Sequence, residues 1–337
     1  MPLRSRASLL PCDTMFDTRQ MIRVTSASVL LAIACTACGS GARSTISPAP
    51  VPDAMNAAAT QRVVAGESGR DITFAQMADA AARADVVFFG EQHDDAETHR
   101  AELALLTAIG ERRGAVILSL EMFERDVQGV LDAYLAGTLS ETDFLAQSRP
   151  WPNYAADYRP LLELAKAKQW PVVASNVPRR LASMVSRRGL AAVDSLPAGD
   201  RAFVANDLLC PKDQYYANFV DVMGGGHGAA PSAAAPASPM TGSTDLFYQA
   251  QCIKDETMAE SIVLARARSG VPATVVHFTG SFHSDFGLGT AARVRRRIPK
   301  LNSVVVSAVP TPVPAKAKAA EFTARGQFII FVLRSAP

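Results

Sequence analysis

Residues 85–93 read DVVFFGEQH, and this stretch decides the fold. The run Val86-Val87-Phe88-Phe89 is apolar at both alternating positions, short, and closed by Gly90. Those features predict a strand buried on both faces, as in a parallel sheet covered by helices. The sequence then changes period. From Asp94 to Arg113, Leu103, Leu106 and Ile109 recur at helical spacing, with Asp94 or Asp95 as the N-cap. The alternation continues. Ala115–Leu120 reads as a second strand ending at Glu121, followed by two short helices within 124–149. A loop from Trp151 turns helical after Pro160, and Trp170–Ser175 is a third strand ending at Asn176. Helices, one at Arg179–Arg188, precede a long helix from about Asp245 to Ser269. Ala273–Phe278 is the next strand, and the runs Ser303–Ser307 and Gln327–Val332 complete the sheet. This order predicts the α/β class: a mostly parallel or mixed sheet covered by helices on both faces.

Hydrophobic residues make up 48% of the 337-residue chain and charged residues 20%, a globular balance. A net charge of +2 gives no electrostatic case for nucleic acid, and the run Arg293, Arg295, Arg296 and Arg297 reads as a solvated helix face. Residues 1–38 read as a leader. From Met21, the natural start, one Arg precedes a short apolar run and small residues before Cys38. The run is too short to span a bilayer. Cys38 followed by Gly39-Ser40 resembles a lipobox, making Cys38 the lipidated first residue, with Cys35 or a plain cleaved signal as the alternatives. Residues 39–56 read as a flexible tether, and 57–337 as the folded domain. Residues 224–243 form a low-complexity Gly/Ala/Pro insertion. The expected location is the periplasmic face of the bacterial envelope, at the outer membrane, held by the lipid alone. In that oxidising setting Cys210 and Cys252, which bracket the insertion, are expected to pair; two separate buried thiols are the alternative.

Chemistry gathers where the strands end. The first closes in Gly90-Glu91-Gln92-His93, the second in Glu121, the third in Asn176 with Arg179 nearby, and the fourth in Gly280-Ser281-Phe282-His283. Ligands of open α/β sheets bind beyond the carboxyl ends of the strands, so these residues are expected to share one rim. Each glycine is expected to turn the backbone off its strand. His93 and His283, with Glu91 or Glu121, have the donor types of a divalent-metal site. Glu91, His93, Glu121 and His283 alternatively suit general acid–base hydrolysis, and a satisfied structural network is the bland reading. His99, six residues past His93, is a secondary candidate not expected to share its face. Trp151, Tyr154, Tyr158 and Arg159 form an aromatic cluster suited to a flat ligand or to packing. Tyrosine is also an axial ligand for ferric haem. Tyr215, Tyr216 and Tyr248 are rivals, and His227 in the insertion could close over a ligand.

These motifs resemble the ChaN-like haem-binding lipoproteins, within the superfamily that includes Tiki, TraB and erythromycin esterase proteins. The matching stretches are GEQHDDAETHRAEL (90–103), SLEMFER (119–125), WPNYAADYRPLLELA (151–165), VVASNVPR (172–179), AQCIKDETMAESI (250–262) and GSFHSDFGLG (280–289), in the family's order. The resemblance implies a helical subdomain beside the sheet, an envelope location and a role in haem or iron uptake and handling. It implies haem as the cofactor and partner, a tyrosine on the iron, and a homodimer linked through the ligand. Tyr154 and Tyr158 are the tyrosines it favours here. The wider superfamily implies a hydrolase as the rival.

Overall fold

The computed structural model describes residues 61–223 and 244–334. The readings placed on the leader, Cys38, the tether, the 224–243 insertion and His227 lie outside the described residues. In chain order the elements are β1 (Gln61–Ala65), β2 (Asp71–Ile72), α1 (Phe74–Ala82), β3 (Val86–Glu91), α2 (Ala96–Arg113) and β4 (Val116–Glu124). Next come α3 (Gln128–Leu135), α4 (Glu141–Ser148), a π-helical turn (Tyr154–Tyr158) that runs into α5 (Arg159–Lys168), and β5 (Val172–Asn176). They continue with α6 (Arg179–Arg188), α7 (Gln214–Met223), α8 (Thr244–Arg268), β6 (Thr274–Gly280), α9 (Gly289–Arg297), β7 (Ser303–Thr311) and β8 (Phe328–Leu333). No helix among the described residues is long and apolar enough to cross a membrane.

One eight-stranded sheet runs β2-β1-β8-β7-β3-β6-β4-β5. The six strands from β8 to β5 are parallel, and β1 and β2 add antiparallel at one end. The α/β class with a mixed sheet is therefore the observed one. Alternation along each strand divides the core between two faces. Val87 and Phe89 of β3 pack with Leu105, Leu106 and Ile109 of α2 and Leu161 of α5. Val86 and Phe88 pack on the opposite side with Ala259 and Ile262 of α8 and Ala291 and Val294 of α9. The sheet order makes β3 and β6 neighbours although two strands, β4 and β5, separate them in sequence. Their paired carboxyl ends are where the connections diverge to opposite faces, the place such sheets bind ligands.

Local chemistry starts and stops these elements. Asp95 caps α2, its Oδ1 accepting the Thr98 amide at 2.9 Å. Thr73 and Gln76 form a capping box on α1. At the sheet edge, the Gln128 side chain donates to Val172 O (2.9 Å) and accepts from Ala174 N (2.8 Å), which occupies two groups of β5 that an edge strand otherwise exposes. Cys210 and Cys252 are joined by a disulfide with 5.5 Å between Cα atoms, tying the approach to α7 onto α8.

Two expectations change. The strands β1 and β2 were not anticipated. The arginines of α9 are not a solvated face: Arg293 is buried, and Arg293, Arg296 and Arg297 converge on the buried Glu256 at 3.3, 2.8 and 2.6 Å. A buried carboxylate needs such partners, because an unpaired charge there is costly.

Candidate functional site

Glu91 is the last residue of β3 and shares the face of Val87 and Phe89, so its carboxylate turns under α2. It is fully buried. Its Oε1 accepts His93 Nδ1–H at 2.5 Å and the Tyr158 hydroxyl at 2.6 Å. His99 and Glu102, from the first two turns of α2, lie beside it, with His99 Nδ1 4.0 Å from Glu91 Oε2 and 2.9 Å from Glu102 Oε2. His99 Nε2 faces His93 O at 3.2 Å, and Asn153 donates to the same carbonyl at 2.7 Å. His99 thus joins the site after all. His93 precedes the helix, so helical spacing does not separate the two residues.

The electrostatics follow from this crowding. Burial alone would raise Glu91, but hydrogen bonds from Glu102 and His93 and the charge of both imidazoles outweigh it and hold Glu91 at about 2. Burial and the Glu91 charge push Glu102 well above the usual carboxylate range, making it the protonated member of the pair. Burial would lower His99, but Glu102 and Glu91 overcome it and raise it to about 10. His93 is also raised against its burial, chiefly by Glu91.

The second half of the rim comes from the other face. Glu121 on β4 accepts Thr279 Oγ1–H (2.6 Å) and the Gly280 amide (2.8 Å) at one oxygen, and lies 3.4 Å from His283 Nε2 at the other. The β4–β5 register shifts between Leu120 and Glu124, and this irregularity brackets Glu121. Asp255 of α8 anchors His283 through Nδ1 at 2.8 Å and also accepts from Thr290 and Tyr215, both at 2.8 Å. Burial works against the charge on His283, but Glu121 and Asp255 raise it to about 9. The same charge, with hydrogen bonds, holds Glu121 well below its ordinary value despite burial.

The halves meet at Gly280. A Cβ there would stand 2.7 Å from His93 Nε2 and 2.9 Å from its Cε1. At Gly90 it would meet Ser284 Oγ at 2.7 Å and Ser281 Cα at 2.9 Å. Neither glycine has a positive φ. Their role is close approach of chain segments, not the sharp turn expected from the sequence. His93 remains one-third exposed, its ring edge-on to Trp151 at 4.8 Å.

The remaining candidates fall elsewhere. Asn176 ends the edge strand opposite Glu124, with its Oδ1 on the Val177 amide, and Arg179 is exposed at the start of α6. Among the described residues, neither is hydrogen-bonded or ion-paired to the histidines or glutamates of the rim. Tyr154 is 3% exposed among Phe123 and Phe144, and Tyr158 is 0% exposed. Burial raises both phenols, Tyr158 further through the Glu91 charge. The Tyr158 hydroxyl donates to Glu91, and the Tyr154 oxygen is buried without a hydrogen-bond partner. The rival hydroxyls of Tyr215, Tyr216 and Tyr248 donate to Asp255, Asp245 and Pro211 O. Glu102 and Asp255 were missed by sequence reasoning. Their signals were an acid three residues after His99 and an acid on the α8 motif facing the Gly280–His283 turn.

Fold and site together define an α/β protein with a strand-end rim, where two imidazoles from opposite faces are each held at Nδ1 by a buried carboxylate. Comparison with known proteins makes this particular. Residues 77–294 match the family described as haem-binding uptake, Tiki superfamily, ChaN, and the chain belongs to that family. The solved structure of ChaN of Campylobacter jejuni, reported with cofacial heme binding, is similar in fold at TM-score 0.58 and 14% identity, over 82% of this chain and 98% of that one. An erythromycin esterase mutant in its open conformation gives TM-score 0.39 at 13% identity over 82% and 83% of the two chains. The protein RETICULATA-RELATED 5, chloroplastic, of Arabidopsis thaliana is 24% identical over 200 residues, 56% of this chain and 25% of its own. The chain therefore spans about a quarter of that curated relative.

Proposed function

We propose that this protein binds haem at the rim, with His93 Nε2 as the protein's donor to the iron. One observation carries the reading. His93 holds Nδ1–H on a buried carboxylate while its ring stays partly exposed. That is how metal-ligating histidines are set up: the second nitrogen fixes the tautomer and raises the basicity of the first. Gly280 keeps the space at Nε2 clear of a side chain. When bound, haem supplies an iron centre, and its potential and reactivity depend on the axial ligand and the surrounding polarity. The residues present fit that group. Glu91 orients the imidazole, Trp151 supports its ring, and Tyr158 braces Glu91 from below.

Membership of a haem-binding family supports the ligand class, and cofacial binding in the ChaN relative supports a pair of copies meeting through their haems. The leader reading supports a lipid-anchored protein on the periplasmic face of the outer membrane, taking part in haem or iron uptake. Titrating haem into the purified full chain should give a saturable Soret band at one haem per chain. A spectrum identical to free haem would overturn the proposal.

Gly280→Ala tests the same placement with little change in fold. The added methyl forces the His93 ring away, at an overpacking cost of about 1–3 kcal/mol. Haem affinity should fall about 10-fold or more while the circular dichroism spectrum is retained. Unchanged affinity would remove His93 from the iron's neighbourhood.

The Asp255–His283–Glu121 arrangement favours a second reading, acid–base hydrolysis using Glu91, His93, Glu121 and His283. With His283 held at about 9, however, this imidazole is a charged partner of two carboxylates at neutral pH and not a free base. Haem binding is the better supported function.

A further inference from the structure

We infer that Glu91, His99 and Glu102 form a closed binding site for one divalent first-row transition-metal ion, beneath the rim and separate from the haem-facing nitrogen of His93. Among the described residues, these three are the one group of histidine, cysteine or acidic side chains with three donor atoms all within 4.8 Å of one another. Once the ion displaces the proton of Glu102 and the Nδ1 proton of His99 to solvent, the donor set is two carboxylates and a neutral imidazole, within the ordinary repertoire of zinc.

Three further observations point to an ion. Glu91 Oε2 and Glu102 Oε1 are both buried and, apart from the proton that Glu102 holds against Glu91 when no ion is bound, have no hydrogen-bond partner, on residues that are 1% and 0% exposed. The spacing is suitable: His99 Nδ1 stands 2.9 Å from Glu102 and 4.0 Å from Glu91, on either side of the ~3.3 Å that separates donors around a tetrahedral ion with ~2.0 Å bonds. Finally, His99 has its other nitrogen on the His93 carbonyl at 3.2 Å. A histidine that ligates through one nitrogen commonly donates the other N–H to a backbone carbonyl, which fixes the tautomer and the ring plane. Here that brace leaves Nδ1 facing the carboxylates.

The geometry also sets this site apart from the His93–His283 pair expected from the sequence. His93 and His283 belong to the rim, and their carboxylates Glu91 and Asp255 hold them at Nδ1 from opposite faces of the sheet. Glu91 is shared, with Oε1 serving the rim and Oε2 the buried site. An ion at Oε2 is enclosed by α2, β3 and the π-helical turn, so it acts structurally and is loaded as the chain folds.

The test uses the full chain without haem, so its outcome is independent of the haem reading. The protein is stripped with a chelator during unfolding, refolded, and titrated with Zn²⁺ against a chromophoric competitor. One tight ion per chain is expected, together with a rise in the thermal midpoint. Glu102→Gln keeps the shape and removes one charged donor, and His99→Gln removes the imidazole. Each should weaken binding by at least about 100-fold, since even an outer partner of a ligand is worth ~10–100-fold in affinity. Circular dichroism of each variant reports folding, and the unmutated chain alone decides the case if a variant fails to fold. Absence of a tight ion in the unmutated chain would overturn the proposal in favour of a proton held between Glu91 and Glu102. Binding lost in His283→Ala but kept in Glu102→Gln would overturn it in favour of the rim.

Discussion

Replacing Glu91 with alanine is expected to destabilise the fold by about 3–5 kcal/mol at neutral pH, the range for removing one partner from a buried charged cluster. The carboxylate accepts the His93 ring N–H and the Tyr158 hydroxyl, and it faces the His99 imidazole. Without it, a fully buried phenol loses its acceptor and a buried imidazolium keeps only Glu102 and Asp157 as acidic neighbours. The pH dependence separates this from a simple cavity. The folded value of about 2 lies below the ordinary 4.5. The stabilisation is therefore complete above pH 4.5 and is lost as pH falls toward 2. In urea melts, the gap between the unmutated protein and Glu91→Ala should narrow over that interval. A gap below about 1 kcal/mol at pH 7, or one that does not narrow in acid, would show that the network is not organised by this carboxylate.

Asp255→Ala is expected to have an effect of similar size, about 3–5 kcal/mol, from the other face of the sheet. One carboxylate there satisfies His283, Thr290 and Tyr215, with the Arg293 guanidinium 3.9 Å away. Here the pH dependence runs the other way. The folded value of His283, about 9, lies above the ordinary 6.5, so its stabilisation is complete below pH 6.5 and is lost as pH rises through 9. The unmutated protein should lose stability across that window, and Asp255→Ala should lose less. The imidazole resonances of His283 should titrate closer to 6.5 in the variant. Titration at an unchanged pH in both proteins would contradict the role given to Asp255.

The legible parts of the fold share one physical feature. Val86–Phe89, Ile117–Leu120 and Val275–Phe278 are apolar at every position or nearly so because helices cover both sides, and such runs stand out in a sequence. Strand β1, Gln61–Ala65, is short, begins with two polar residues and depends on β8 for its pairing, so it carries no comparable pattern. The rim was legible for a similar reason. Glu91, His93, Glu121 and His283 lie within three residues of a strand end, and a parallel sheet carries such residues to one side. Asn176 and Arg179 satisfied that rule but lie at the end of the edge strand and at the start of the helix after it, away from the pairing of β3 with β6. The carboxylates that complete the site were not legible. Glu102 and Asp255 sit within helices, where acids usually face water, and only the packing of α2 and α8 against the sheet shows them to be buried. The tyrosines reverse the pattern: the motif marked Tyr154 and Tyr158, but the core encloses both.

The central claim is that the rim binds haem through the imidazole that Glu91 holds. Its most direct test is a haem titration of the full chain alongside His93→Ala and Tyr158→Phe, with affinity and the Soret and charge-transfer bands recorded together. His93→Ala is expected to weaken binding by about 100-fold and to remove the histidine-ligated spectrum, while Tyr158→Phe keeps that spectrum. A tyrosinate-type spectrum that survives His93→Ala and disappears in Tyr158→Phe would contradict it.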